Sequence, residues 1–255
     1  MLEADLVVRN ARELCTLAGD RSAGADAALA AITNGALACR AGEIVWVGED
    51  RNLEAHVALN PGTRVLDATG CTVTPGFVDC HTHLVFGGDR ADEFALRCAG
   101  ASYLDIAKAG GGIQSTVRAT RAASEEELVA LALPRLKRLL AFGITTAEAK
   151  SGYGLELPSE RRMLRAIAAL RSRQSVELVA TLLCAHAVPA EYAGARERYV
   201  DVCVNEILPA IAEERLATFC DAFVEQGAFT VEEGRRILRR ASELGLRPRL
   251  HADQM

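Results

Sequence analysis

The chain has 255 residues, half of them hydrophobic and a quarter charged, with 29 Lys and Arg against 34 Asp and Glu, for a formal net charge of −5. This is the composition of a globular protein with a sizeable core, not of a disordered or fibrous chain. An acidic balance without any Lys/Arg block argues against a nucleic-acid partner, and no apolar run approaches the ~18 residues that span a bilayer.

The opening MLEADLVV places acids where an export signal carries positive charge, so a cytoplasmic location is expected. The eight cysteines (Cys15, Cys39, Cys71, Cys80, Cys98, Cys184, Cys203 and Cys220) include no CxxC pair, and several lie inside apolar runs. They are expected to be reduced and to pack as small hydrophobes.

Residues 1–73 read as a small, mostly β unit: short apolar runs in DLVVRNAREL, GALACRAGEIVWVGE and TRVLDATGCTVTPG, separated by turn residues. Asn34-Gly35 and Ala41-Gly42 are the expected hairpin turns. His56, with no site-like neighbours, is expected at the surface.

Residues 74–255 alternate five β-like runs with helical patterns. GFVDCHTHL is the first run, and KAGGGIQSTVRAT after it reads as a loop, without the order of a phosphate-binding motif. A helix is expected from about Ser124, capped there, to Phe142. GITTAEAK follows, then a helix from about Pro158 to Arg173 with Ser159 as its cap. VELVATLLCAH is the third run, followed by helical segments from about Arg196 to Glu214. ATFCDAFVE is the fourth, then a helix between a Thr230 cap and a Gly245 stop, and RPRLHAD is the fifth.

Alternating β and α elements imply parallel strands with crossover helices, hence a doubly wound sheet or a (β/α)8 barrel. The polar residues favour the barrel, whose chemistry collects where strands end. His81 and His83 end the first run, Glu148 and Lys150 the second, His186 follows the third, Glu225 ends the fourth and His251 the fifth. In a strand, residues i and i+2 share a face, so His81 and His83 are expected to aim both imidazoles into the barrel mouth. A metal site normally needs a third protein donor, which His251 can supply.

PGFVDCHTHL resembles the first-strand signature of the amidohydrolase superfamily. Together with HTHLVFGGDRADEF, AGGGIQSTVRATR, TTAEAKSGYGL, CAHAVPAEY and LHADQ, it resembles the imidazolonepropionase family within that superfamily, over essentially the whole chain. The resemblance implies an α/β fold: a (β/α)8 TIM-type barrel, of which about five strands are present, with a small N-terminal β-sandwich portion. It implies one metal ion, zinc or iron, on His81, His83 and His251. Arg90, Tyr153 and His186 match substrate-holding positions, and Gln254 sits where some members carry glutamate. The implied reaction is hydrolysis of the ring amide of 4-imidazolone-5-propanoate to N-formimidoyl-L-glutamate.

The residue types suit that chemistry. Arg90 offers a guanidinium to the propanoate, His186 is the catalytic candidate that hydrogen-bonds the carbonyl oxygen as charge develops there, and Tyr153 caps the pocket with a phenol donor. Glu225 is a further metal candidate or a neighbour of the ligands. Lys150 ends the second run, whereas the carboxylated lysine of two-metal relatives is expected on the fourth. Another cyclic-amide hydrolase or a deaminase of the superfamily is the alternative enzyme.

The superfamily's barrel also carries an aspartate at the end of its last strand, and no counterpart occurs before Met255. The expected partners are therefore the small-molecule substrate, a second copy in a homodimer, and a further C-terminal segment or chain. A fragment of a longer sequence is the favoured reading, with a split enzyme or a catalytically inactive remnant left open.

Overall fold

The computed structural model describes residues 1–100 and 111–254, so residues 108–110 of the glycine-rich stretch fall outside it. The chain forms two compact units, Met1–Gly76 and Phe77–Met255. Among the described residues no helix is long and apolar enough to cross a membrane.

In the first unit β1 (Leu2–Glu3) pairs in parallel with β5 (Val57–Ala58), while β4 (Glu43–Glu49), β3 (Ala31–Arg40), β2 (Leu6–Cys15) and β6 (Arg64–Asp67) lie side by side in that order. A further short strand, β7 (Thr72–Val73), also pairs with β2. Val7, Ala38, Leu53 and Val57 form one buried cluster, and Ala11, Leu14 and Ala68 another. Ala41 and Gly42, with φ of 51° and 84°, turn β3 into β4 as expected.

Asn34-Gly35 is a correction: β3 runs straight through it. Gly35 pairs with Ala11, and a Cβ on it would lie 2.5 Å from the Leu14 Cβ, so the glycine serves a close backbone approach rather than a hairpin. His56 is exposed and stacks on Trp46, with ring centroids 5.8 Å apart.

The second unit is built on five parallel strands in sequential order: β8 (Phe77–Asp79), β9 (Ile144–Lys150), β10 (Glu177–Ala185), β11 (Phe219–Phe223) and β12 (Arg247–His251). Pleating sends alternate residues to opposite faces. Along β9, Ala147 and Ala149 go to one side and Glu148 and Lys150 to the other, and all four are buried.

The apolar side is covered by the crossover helices, whose buried residues recur at helical spacing: Leu128, Ala132 and Leu136 on Glu125–Ala141, Met163, Ile167 and Leu170 on Leu157–Leu170, and Ile237 and Ala241 on Val231–Glu243. Each fully buried Leu or Ile there stabilises the fold by about 1.5–3 kcal/mol before the entropy cost of ordering it.

Helix ends follow local chemistry. Ser124 with Glu127 and Thr230 with Glu233 form reciprocal capping boxes. Ser159, in contrast, is buried inside the first turn of Leu157–Leu170 and donates to the Glu156 carboxylate at 2.6 Å. Pro158 explains the difference: its fixed φ suits the first helical positions, which moves the cap position back to Glu156. Between Arg196 and Glu213 the helix widens into a π turn at Cys203–Ile207. Pro209 follows it and cannot donate to the α-helical ladder.

Two helices differ from expectation. Ile113–Ala122 is helical where a loop was expected, and the short helix Ala91–Cys98 follows directly on Arg90. All eight cysteines are free thiols, with Cys15, Cys184, Cys203 and Cys220 buried.

Candidate active site

The histidines collect where the parallel strands end. β8 stops at Asp79, so His81 and His83 lie just beyond the strand and not within it as expected. They are held in place by the neighbouring strand. The Lys150 amide donates to the Thr82 carbonyl at 3.0 Å, and the Thr82 hydroxyl donates to the Glu148 carbonyl.

The chain then passes under helix Glu125–Ala141, where the Arg135 guanidinium donates to the carbonyls of Leu84 (2.8 Å) and Phe86 (3.1 Å) and stacks over the Phe86 ring. Gly87 donates to the Thr120 hydroxyl at 3.0 Å, and a Cβ on Gly87 would strike the Ala119 carbonyl at 2.5 Å.

The His81 and His251 rings touch edge to face, with centroids 4.7 Å apart. His83 lies 6.0 Å from His81 and stacks on His186 at 4.8 Å and 14°. Tyr153 packs against both His83 (5.0 Å) and His186 (5.2 Å), and Phe223 against His251 (4.6 Å). As the rings are turned, no three His, Cys, Asp or Glu side chains among the described residues stand close enough to hold an ion. His81 and His251 meet, while His83 is turned toward His186.

The donor set nonetheless fits a metal. The Nδ1 atoms of His83 and His251 are buried without a hydrogen-bond partner, a costly state for a polar atom that a cation relieves. Burial also lowers the His83 imidazole well below its ordinary range and, helped by the Lys150 charge, lowers His81, keeping both in the neutral form that binds metals.

A cavity of about 1200 Å³ opens beside these rings, and Arg90, Tyr153, His186 and Gln254 all line it, with Gln114 and Phe223. Arg90 is exposed, at the start of helix Ala91–Cys98, and has no ion-pair partner among the described residues. Its neighbour Asp89 accepts from the Ala91 amide instead, at 3.0 Å. Burial raises the Tyr153 phenol above its usual range, so it remains a donor at neutral pH.

His186 Nδ1 sits 2.9 Å from the Gly152 carbonyl. A carbonyl only accepts, so the proton is on Nδ1 and the remaining lone pair on Nε2. Burial lowers the His186 pKa and keeps the ring neutral. The ring is therefore set up to accept a hydrogen bond into the cavity, which differs from the donor role expected from sequence.

Gln254 is placed by its backbone amide, which donates to Glu225 at 2.9 Å. The fourth strand ends at Phe223, two residues before Glu225. The oxygens of Glu225 take the amides of Gln226 and Gln254, which sets Glu225 beside Gln254 just past the strand end.

Sequence reasoning misses three contributors: Thr82, Arg135 and Glu160. The one available signal was the GYG loop preceding Glu160, whose glycines announce an unusual backbone.

No family model matches the chain. It is 59% identical over 251 residues to the imidazolonepropionase of Myxococcus xanthus, a match covering 98% of this chain and 59% of that protein. The chain is similar to imidazolonepropionases along nearly its whole length. The corresponding protein of Symbiobacterium thermophilum is 53% identical over 259 residues, covering all of this chain and 60% of the relative. The chain thus spans about 60% of the length of these curated relatives.

Among solved structures, a 5-methylcytosine deaminase from Klebsiella pneumoniae liganded with 5-fluorocytosine superposes with a TM-score of 0.62 at 15% identity, over 98% of this chain and 51% of that one. E. coli guanine deaminase does so with 0.55 at 17%, over 96% and 52%. At such identities the likeness is one of fold: a mixed α/β chain with a curled parallel half-barrel sheet.

Proposed function

We propose that this sequence carries the metal and substrate half of an imidazolonepropionase, which opens the ring amide of 4-imidazolone-5-propanoate with water to give N-formimidoyl-L-glutamate. The observation that carries the reading is the identity to imidazolonepropionases along essentially the whole chain. The cavity lined by Arg90, Tyr153, His186 and Gln254 beside the three histidines supports it.

In this reading His81, His83 and His251 hold one zinc or iron ion. Such an ion lowers the pKa of its water toward ~7 and polarises a carbonyl. Arg90, unpaired among the described residues at the cavity wall, binds the propanoate through a charge-assisted fork of hydrogen bonds. Tyr153 donates its phenol to the substrate and, with His83 and His186, walls the ring off from water. His186, protonated on Nδ1, accepts a ring N–H on Nε2 and so orients the amide. Gln254 contributes a neutral amide at the rim. The cytoplasm is the proposed location, in keeping with eight free thiols. A homodimer, or a further segment or chain that completes the barrel, is the proposed assembly.

The test compares 4-imidazolone-5-propanoate with the same ring lacking its propanoate, using metal-loaded chain supplied with the remaining C-terminal part of the Myxococcus relative. A preference of at least ~10-fold in kcat/KM is expected. Arg90→Ala should remove it through KM, since a hydrogen bond to a charged group contributes about 1.5–3 kcal/mol. Equal use of both rings would contradict the assignment.

A further inference from the structure

The loop between β9 and helix Leu157–Leu170 brings Tyr153 to the cavity, and its unusual backbone converges on one buried carboxylate. Gly152 has φ of 105°, and Leu155, which carries a side chain, has φ of 54°. A left-handed residue of that kind costs of order 1–3 kcal/mol and persists only where its surroundings enforce it. Gly154 has no room for a side chain: a Cβ on it would lie 2.6 Å from the Glu160 amide nitrogen.

Glu160, with no exposed surface, supplies the enforcement. Its carboxylate accepts the amides of Gly154 and Leu155 at 2.8 Å each, and that of Gly152 at 3.1 and 3.2 Å to its two oxygens. Burial raises the Glu160 carboxyl above its ordinary range, and the neighbouring Ser151 hydroxyl, with the three amides, works against that shift. Ser151 in turn accepts the Leu183 amide of β10 at 3.1 Å, tying the arrangement to the sheet. A buried carboxylate is expensive, and a loop of ordinary conformation would not require one. What the arrangement delivers lies at both ends of Gly152. Its amide faces Glu160, and its carbonyl receives the Nδ1 proton of His186 at 2.9 Å.

We propose that Glu160 is a positioning residue of the active site: by gathering the amides of Gly152, Gly154 and Leu155, its carboxylate fixes where Tyr153 enters the cavity and which nitrogen of His186 carries the proton. The geometric part stands on the loop alone, and its catalytic consequence rests on the function proposed above.

Glu160→Gln tests it, because it keeps the volume and replaces one acceptor oxygen with an NH2 group among the same amides. In zinc-supplemented, ¹⁵N-labelled chain, imidazole correlations assigned with His186→Asn report the tautomer, and amide exchange reports residues 152, 154 and 155. Calorimetry with imidazole-4-propanoate, a stable ring bearing the same acid tail, reports ligand affinity. In Glu160→Gln, exchange at the three amides should rise about tenfold, matching the loss of a charge-assisted hydrogen bond. His186 should lose its single Nδ1–H tautomer and the probe should bind about tenfold more weakly, with zinc affinity unchanged. Ser151→Ala removes one donor only and should move the same quantities in the same direction by less, which keeps the test valid if the first variant does not fold.

Wild-type exchange, tautomer and affinity in Glu160→Gln would overturn the proposal, as would faster exchange spread evenly over the whole unit, the mark of a merely structural role. A wild-type chain that ignores the probe, while its three amides and His186 respond to Glu160→Gln, would refute the proposed function and leave the positioning role intact.

Discussion

Lys150, which ends the second run in sequence, is used in the interior. Its ammonium is 2% exposed, pairs with Asp221, and lies 3.1 Å from Glu148. Glu148 also receives the Thr181 hydroxyl at 2.6 Å and the Arg249 guanidinium. Two cations and two anions from three strands thus neutralise one another on the inner face of the sheet. Desolvation of such groups roughly cancels their attraction, so the tetrad adds little net stability, but removing one member strands its partners. Lys150→Met should destabilise the second unit by about 3–5 kcal/mol in urea unfolding. A loss below about 1 kcal/mol would mean that water reaches Glu148 and Asp221.

At the scale of elements, the paired histidines are organised by a strand they do not belong to. β8 is three residues long, and beyond it the Thr82 carbonyl and hydroxyl bind the backbone of β9 on either side of Ala149. This continues the ladder past the end of the strand, and the His81 and His83 rings stand 6.0 Å apart on either side of Thr82. Thr82→Val keeps the shape and loses the hydroxyl. It should weaken metal binding about tenfold, the lower end of what loss of an orienting partner costs. Thr82→Ser should restore the affinity, and equal binding by all three would show that the Lys150 amide suffices.

The same contrast explains what could be read from sequence. The crossover helices were legible because their apolar residues recur at helical spacing, two of them behind the Ser124 and Thr230 caps. Ile113–Ala122 was not, since three glycines precede it and only Ile113 and Val117 mark its apolar face. Asn34-Gly35 misled because the glycine answers to Leu14, a contact between strands that no local pattern encodes. Glu160 was invisible as a loop organiser for the same reason: its role depends on a backbone that doubles back on it.

At the scale of the whole molecule, the parallel sheet of the second unit has two open edges among the described residues, β8 and β12. Both carry exposed apolar side chains: Phe77 is 58% exposed, Val78 67% and Leu250 59%. An uncovered strand edge invites pairing, and barrels remove it by closure. In the proposed function the half-barrel is completed by strands that close it, and activity is expected to need both. The deciding measurement is the metal dependence of 4-imidazolone-5-propanoate hydrolysis by the purified chain mixed with the C-terminal part of the Myxococcus relative, with bound metal quantified in the same samples. One ion per chain is expected, with loss of turnover on chelation, recovery on adding zinc or iron, and neither ion nor turnover in His81→Ala with His251→Ala. Turnover that survives complete removal of metal, or a complemented chain that binds no stoichiometric metal, would contradict the proposed function.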